Sequence, residues 1–215
     1  AHVLYGVVSL YRGKPHGILH HAREAMRLSE EAQIPLNLGI CWFMDGYVHY
    51  YQDNIAAARE SVEKSISLLL HHGVVVALSP AYLLSGLVSQ ALGNLREARQ
   101  SLEQAMKVAQ ENNHKQYEGH ARVCLGRLII EEDASQIAVA EQTILEGLRA
   151  VEDLQMKPLQ AVGCMNLGET YAVAGQKEKA LASLNKARQM CQEMGMDYWL
   201  ARTQSVLERL QGGGQ

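Results

Sequence analysis

The sequence predicts an all-α fold, an α-solenoid of five antiparallel helix pairs closed by one further helix. Three observations carry that expectation. Glycines recur at Gly6, Gly46, Gly86 and Gly126, each forty residues after the last, and Gly168 follows after 42. A small residue stands twelve positions on, at Ala58, Ala98 and Ala180, with Ala140 two residues late and Ile18 the departure in the first copy. Around these markers other positions repeat: Val62, Leu102, Ile144 and Leu184 each follow their alanine by four, on the same helix face. Self-similarity at a fixed period of this length is the signature of a stacked repeat array.

Taken in order, the copies span about 1–36, 37–78, 79–118, 119–160 and 161–196. In the first copy Gly13 marks the turn between the paired helices, and Ala25 a second small site in the second helix. Asp53 takes the turn in the second copy, where Ser65 replaces that second small residue. The third copy turns at Gly93, and Asn94 with Glu97 reads as a capping pair for its second helix. Asp133 stands at the turn of the fourth copy, and its two extra residues fall in EEDASQ, between helices, where insertion costs least. The fifth copy turns at Gly175 and repeats the small residue at Ala187. DYWLARTQSVLERL then predicts a helix over 197–210, with Asp197 at its N-terminus and Trp199, Val206 and Leu210 on its apolar side. Such a helix covers the last open face of an array. The whole is expected as one domain over 1–211 with a flexible tail at 212–215.

The glycine and alanine markers have one physical explanation. Side chains at a helix crossing hold two axes apart, so small residues on both sides let the paired helices approach closely. One pair cannot bury its apolar face alone, and stacking gives each repeat its missing core.

Composition excludes several classes. With 47% hydrophobic and 20% charged residues and 4 prolines, the chain reads as folded. A net charge of −3, with Lys and Arg scattered, excludes a basic surface for nucleic acid or anionic membrane. The four cysteines, Cys41, Cys124, Cys164 and Cys191, lie singly inside apolar helical runs, as buried free thiols of a reducing compartment do. No apolar run of about 20 residues and no charged-then-apolar leader is present, so the expected location is the cytoplasm. The sequence starts inside an apparent helix without an initiator Met and with no capping element, as expected of a piece of a longer protein.

The order Cys164, Leu167, Gly168, Tyr171, Gly175, Ala180, Leu184, Ala187 resembles the tetratricopeptide repeat signature. The large first residue of that signature is Trp42 in the second copy and Tyr82 in the third. Repeats of forty residues, longer than the usual 34, are similar to those in helical arrays of bacterial signal-transduction ATPases. The resemblance implies a right-handed superhelix, a protein-binding or scaffold role, and possible company with an NTPase, cyclase or DNA-binding domain.

Nothing in the sequence points to catalysis. His20-His21 and His71-His72 are adjacent pairs, about 100° apart on a helix, and cannot chelate one ion together. Glu131, Glu132 and Asp133 lack the loop pattern of a calcium site. There is no phosphate-binding glycine loop and no nucleophile elbow. The expectation is no enzyme, no cofactor and no metal.

In the resembled family the first helix of each repeat lines a concave face. Carried onto this sequence, those positions include Val3, Val7, Leu10 and Tyr11, then Ile40, Phe43, Tyr47, Tyr50 and Tyr51, then Leu83, Leu87 and Gln90. Further along the groove turns polar, with His120, Arg127, Glu131 and Glu169. Two alternatives stay open for the aromatic stripe, a groove for a helix or peptide and plain packing between repeats. The leading expectation is a module that binds a protein, a peptide or a sister domain through Val7, Tyr11, Phe43, Tyr47, Tyr50, Tyr51, Leu83, Leu87 and Arg127. A small-effector sensor around Arg127, Glu131, His120 and Glu169 is a second, and a monomer or weak homodimer joined at the first repeat a third.

Overall fold

The computed structural model describes residues 2–212, and the side chains of all of these except 3, 4 and 15–17. Of the tail expected at 212–215, Gly212 belongs to the last helix and 213–215 lie outside the described residues, as does the side chain of Val3. Every regular element among the described residues is helical. The chain divides into two compact units, Ala1–Asn113 and His114–Gln215. The first contains α1 (His2–Tyr11), α2 (Pro15–Glu31), α3 (Pro35–Tyr51), α4 (Ile55–His71), α5 (Leu78–Ala91) and α6 (Leu95–Glu111). The second contains α7 (Lys115–Glu132), α8 (Ile137–Asp153), α9 (Lys157–Val173), α10 (Lys177–Met194) and α11 (Asp197–Gly212). Within each unit a helix packs on the one before it and the one after, and first helices also touch the next first helix: α1 on α3, α3 on α5, α7 on α9, α9 on α11.

The helix ends show a shorter rhythm than the expected repeat. Gly13, Gln33, Asp53, Gly73, Gly93, Asn113, Gln155, Gly175 and Gly195 all have φ between 51° and 77°. They stand twenty residues apart except across the fourth turn, so from α1 to α10 each helix but α7, first or second of its pair, stops the same way. The next residue's amide donates back to the carbonyl five positions earlier, as in Lys14 to Ser9 (2.9 Å), Asn54 to His49 (2.9 Å) and Gln176 to Tyr171 (2.9 Å). This is the Schellman closure, and it needs a left-handed residue at its corner.

Two expectations at the turns are corrected. Asn94 makes no side-chain cap to α6. Its amide closes α5 by donating to the Ser89 carbonyl (2.9 Å), which sets its backbone at φ −84°, ψ 66° instead of the extended form that a capping side chain favours. Asp133 does not stand in for a turn glycine, since its φ is −151°. Its carboxylate instead accepts from the Ser135 amide (2.9 Å) and hydroxyl (2.7 Å), opening a 3-10 turn over Ala134–Gln136. The two extra residues of the fourth copy are thus taken up between α7 and α8.

Close approach at the glycines is direct. A Cβ built on Gly86 would lie 3.3 Å from the Ala98 carbonyl oxygen and 2.7 Å from Leu102, and on Gly46 3.4 Å from the Ala58 carbonyl oxygen. On Gly126 it would meet the Ala140 carbonyl oxygen at 2.8 Å. Ala58, Ala98, Ala140 and Ala180 are fully buried, and so is Ile18 in the first copy. In the second and third pairs the residue before the glycine meets the one three after the alanine: Asp45 accepts from the Ser61 hydroxyl (2.6 Å), and Ser85 and Ser101 hydroxyls meet at 3.1 Å. Tyr5 stacks on His21 at the same place in the first pair, with ring centroids 5.3 Å apart.

Gln155, at φ 54°, carries a Cβ into the left-handed region. That conformation costs a non-glycine residue roughly 1–2 kcal/mol, offset in part by the greater freedom of an unfolded glycine. Gln155→Gly is expected to raise stability by about 0.5–1 kcal/mol, read as a higher midpoint in urea with unchanged slope.

Candidate functional site

Burial sorts the residues expected in the groove. Phe43, Tyr47, Tyr51 and Leu83 are 4%, 3%, 9% and 1% exposed, and Leu10 is buried with them. Phe43 meets Tyr47 edge-on at 6.4 Å, and Tyr47 meets Tyr51 at 5.7 Å between centroids. The Tyr51 hydroxyl donates to the Leu10 carbonyl on α1 (3.1 Å). These four side chains therefore pack α3 and α5 into the core of the first unit. Val7, Tyr11, Ile40, Tyr50, Leu87 and Gln90 remain partly exposed. At the start of the chain Tyr5 and Val8 of α1 are open to solvent.

The polar residues expected further along behave differently. Arg127 on α7 and Glu169 on α9 come together in the second unit, with the Arg127 Nε donating to Glu169 Oε2 (3.2 Å). Arg127 also reaches one turn along its own helix to Glu131 (2.7 Å). A further partner arrives from α11, where Arg202 donates from Nε to Glu169 Oε1 (3.2 Å) and from Nη2 to Oε2 (3.1 Å). Glu169 is thus a buried carboxylate gripped by two guanidiniums from different helices. Burial by itself would raise its pKa, but the charges and hydrogen bonds of Arg202 and Arg127 outweigh burial and hold it below the usual glutamate value. His120, on the same helix as Arg127, is not part of this cluster; burial pushes its imidazole down to about 4.

Beside the cluster lies an open-mouthed recess of about 520 Å³ between α7, α9 and α11. Its lining is Arg127, then Glu169, Ala172 and Val173, then Arg202, Ser205, Val206, Arg209 and Leu210. On α9 these fall at i, i+3 and i+4, and on α11 at i, i+3, i+4, i+7 and i+8, one face of each helix. Val173 is half exposed there.

The sequence matches the family described as the MalT-like TPR region over residues 1–213. The chain belongs to this family. Among curated proteins no match is found. Among solved structures, this MalT-like array is similar to BtubC (BKLC) from P. vanneervenii, with a TM-score of 0.62 at 16% identity over 88% of this chain and 78% of that one. It is also similar to the apo form of RapI, with a TM-score of 0.55 at 14% identity over 99% of this chain. The chain spans 59% of the length of RapI. At such identities the likeness concerns the fold alone.

Among the described residues of the MalT-like array, no group of three or more His, Cys, Asp and Glu is placed to hold a metal ion, and no helix is long and apolar enough to cross a membrane. All four cysteines are free and buried. Burial pushes the thiols of Cys41 and Cys124 up to about 12, far from a reactive thiolate. Arg202 and Arg209 were outside the residues expected from the sequence. Their signal was the seven-residue spacing that puts both on the stripe with Val206 and Leu210, a stripe read there as apolar cap only.

Proposed function

We propose that this chain is a non-enzymatic interaction module, which holds a partner protein, a peptide or a sister domain of a larger signalling protein in the recess of its second unit. One observation carries this reading: Val173 stands half exposed beside the Arg127–Glu169–Arg202 cluster with its buried carboxylate, in a concavity built by three helices. Ordered charges next to an uncovered apolar side chain are the makings of a recognition site, since they give direction as well as area. Tetratricopeptide-like arrays in general bind proteins or peptides, which supports the same reading. Val7, Tyr11, Tyr50 and Leu87 are partly exposed in the first unit and supply a second, more apolar surface there.

A second reading is a small-effector sensor, favoured by the size of the recess. About 520 Å³ is within the range of small-molecule pockets. Affinity capture followed by mass spectrometry tests the main reading. Val173→Asp, at an exposed position, is expected to abolish retention of proteins that the wild-type chain captures, with Tm unchanged. Retention of the same proteins by both forms sinks the recess as the contact point.

A further inference from the structure

The recess holds more positive charge than its own carboxylate neutralises. Its lining contains three arginines and one glutamate, a formal +2. Glu131, outside the lining, pairs with Arg127 and lowers this by one. Arg127 and Arg202 are both committed to Glu169. Arg209 is different. Among the described residues it pairs with no carboxylate, and its hydrogen bond is a long one from Nε to the Ser205 carbonyl (3.4 Å) on its own helix. It lies seven residues from Arg202, roughly 10 Å along α11, on the same face. The rest of the lining is Ala172, Val173, Val206 and Leu210, with Ser205 among them.

We propose that this recess binds an anionic group, a carboxylate or phosphate, attached to a compact apolar body. The inference rests on the reading of the recess as the recognition site. Arg209 takes the anion, because its guanidinium is the cation not already held by a carboxylate, and a planar guanidinium fork matches carboxylate and phosphate oxygens. The apolar body covers Val173 and Val206. Glu169 is a positioning residue: it fixes Arg202 and Arg127 and keeps the floor from drawing the anion away from the mouth. The same chemistry is available from a free small molecule or from an acidic side chain of a peptide.

Calorimetric titration of the full chain with four probes tests this. Phenyl phosphate carries both the anion and the apolar body; inorganic phosphate carries only the anion; benzyl alcohol carries only the body; a blocked Ala-Asp-Leu-Ala peptide presents a carboxylate on a chain. Phenyl phosphate or the peptide is expected to saturate one site, at least tenfold more tightly than inorganic phosphate or benzyl alcohol. The stronger of the two names the source. Arg209→Gln, at an exposed position, is expected to weaken that binding at least tenfold with Tm unchanged, and raised salt is expected to weaken it too. Binding unaffected by Arg209→Gln, or no saturable binding of either anionic probe, overturns the proposal. Benzyl alcohol binding as tightly as phenyl phosphate also overturns it but leaves the recess as a recognition site. Failure of that underlying reading shows separately, as protein capture that Val173→Asp does not change.

Discussion

Glu169→Ala is expected to lower the stability of the chain by about 3–5 kcal/mol, the range found when one partner of a buried ion pair is removed. For a chain of this size the fall in Tm is on the order of 6–20 °C. The reason is the geometry of the cluster. Glu169, 9% exposed, is the carboxylate that both Arg127 and Arg202 donate to; Arg127 is 15% exposed but keeps Glu131, and Arg202 is 35% exposed, which puts the loss at the low end of that range. Glu169→Gln keeps the shape and removes the charge, and it separates the two contributions through pH. The folded-state pKa of Glu169 lies below its ordinary value of 4.5. Below about that pH the unfolded chain binds the proton more readily, so the stability supplied by the pair is present above it and lost as pH falls through the folded value. His120 acts earlier on the same scale. Its folded pKa of about 4 is below the ordinary 6.5, so acidification from 6.5 downward already favours the unfolded chain. The difference between wild type and Glu169→Gln in urea melts should therefore be flat above pH 5 and shrink only below it. A difference that does not change down to pH 3 contradicts the assignment.

Gly126→Val is expected to be the most damaging change among the forty-residue glycines. A Cβ there would lie 2.8 Å from the Ala140 carbonyl oxygen, 2.5 Å from Ile144 Cγ1 and 3.1 Å from the Ile144 amide nitrogen. Two of these are backbone atoms, which no rotamer change can move, so α7 and α8 must separate. Overpacking of this kind costs about 1–3 kcal/mol and occasionally more, and a branched side chain puts it at the upper end. Gly6→Ala provides the contrast. Its nearest neighbour would be the Met44 Sδ at 2.5 Å, the adaptable end of a flexible side chain, and the expected loss is below about 1 kcal/mol. Equal losses at the two glycines, measured by denaturant melts, would show that crossing distance is not what the forty-residue glycines protect.

Much of this fold is legible in the sequence because its packing is repetitive. Gly86 and Gly126 announce the crossings, since a Cβ there would press on a carbonyl oxygen of the facing helix, at 3.3 and 2.8 Å, while at Gly46 it would press on Leu84 of α5 (2.9 Å). The twenty-residue rhythm of helix ends is less visible. Gln33 and Gln155 occupy left-handed corners that a reader expects to find glycine or asparagine in, and only the backbone shows them. The site divides in the same way. The pairing of Arg127 with Glu169 follows from equivalent faces of neighbouring first helices, and both residues were in view. Arg202 and Arg209 were not, because a terminal helix has no following copy to compare with. The aromatic stripe Phe43–Tyr47–Tyr51 reads identically as groove or core in one dimension; burial, a property of the neighbours, distinguishes them.

Within each unit a helix packs chiefly on those one or two places away along the chain. A fold of this kind has no staple joining distant segments, and its contacts form without closing long loops. Its mechanical character follows. Drawn apart by its ends, such a unit has nothing to hold it shut as a whole, and it yields hairpin by hairpin. Each released forty-residue pair adds roughly 13 nm of slack while the rest stays wound. The repeat is then a ratchet of small, equal steps, able to give a little under load and recover without losing the pairs that remain.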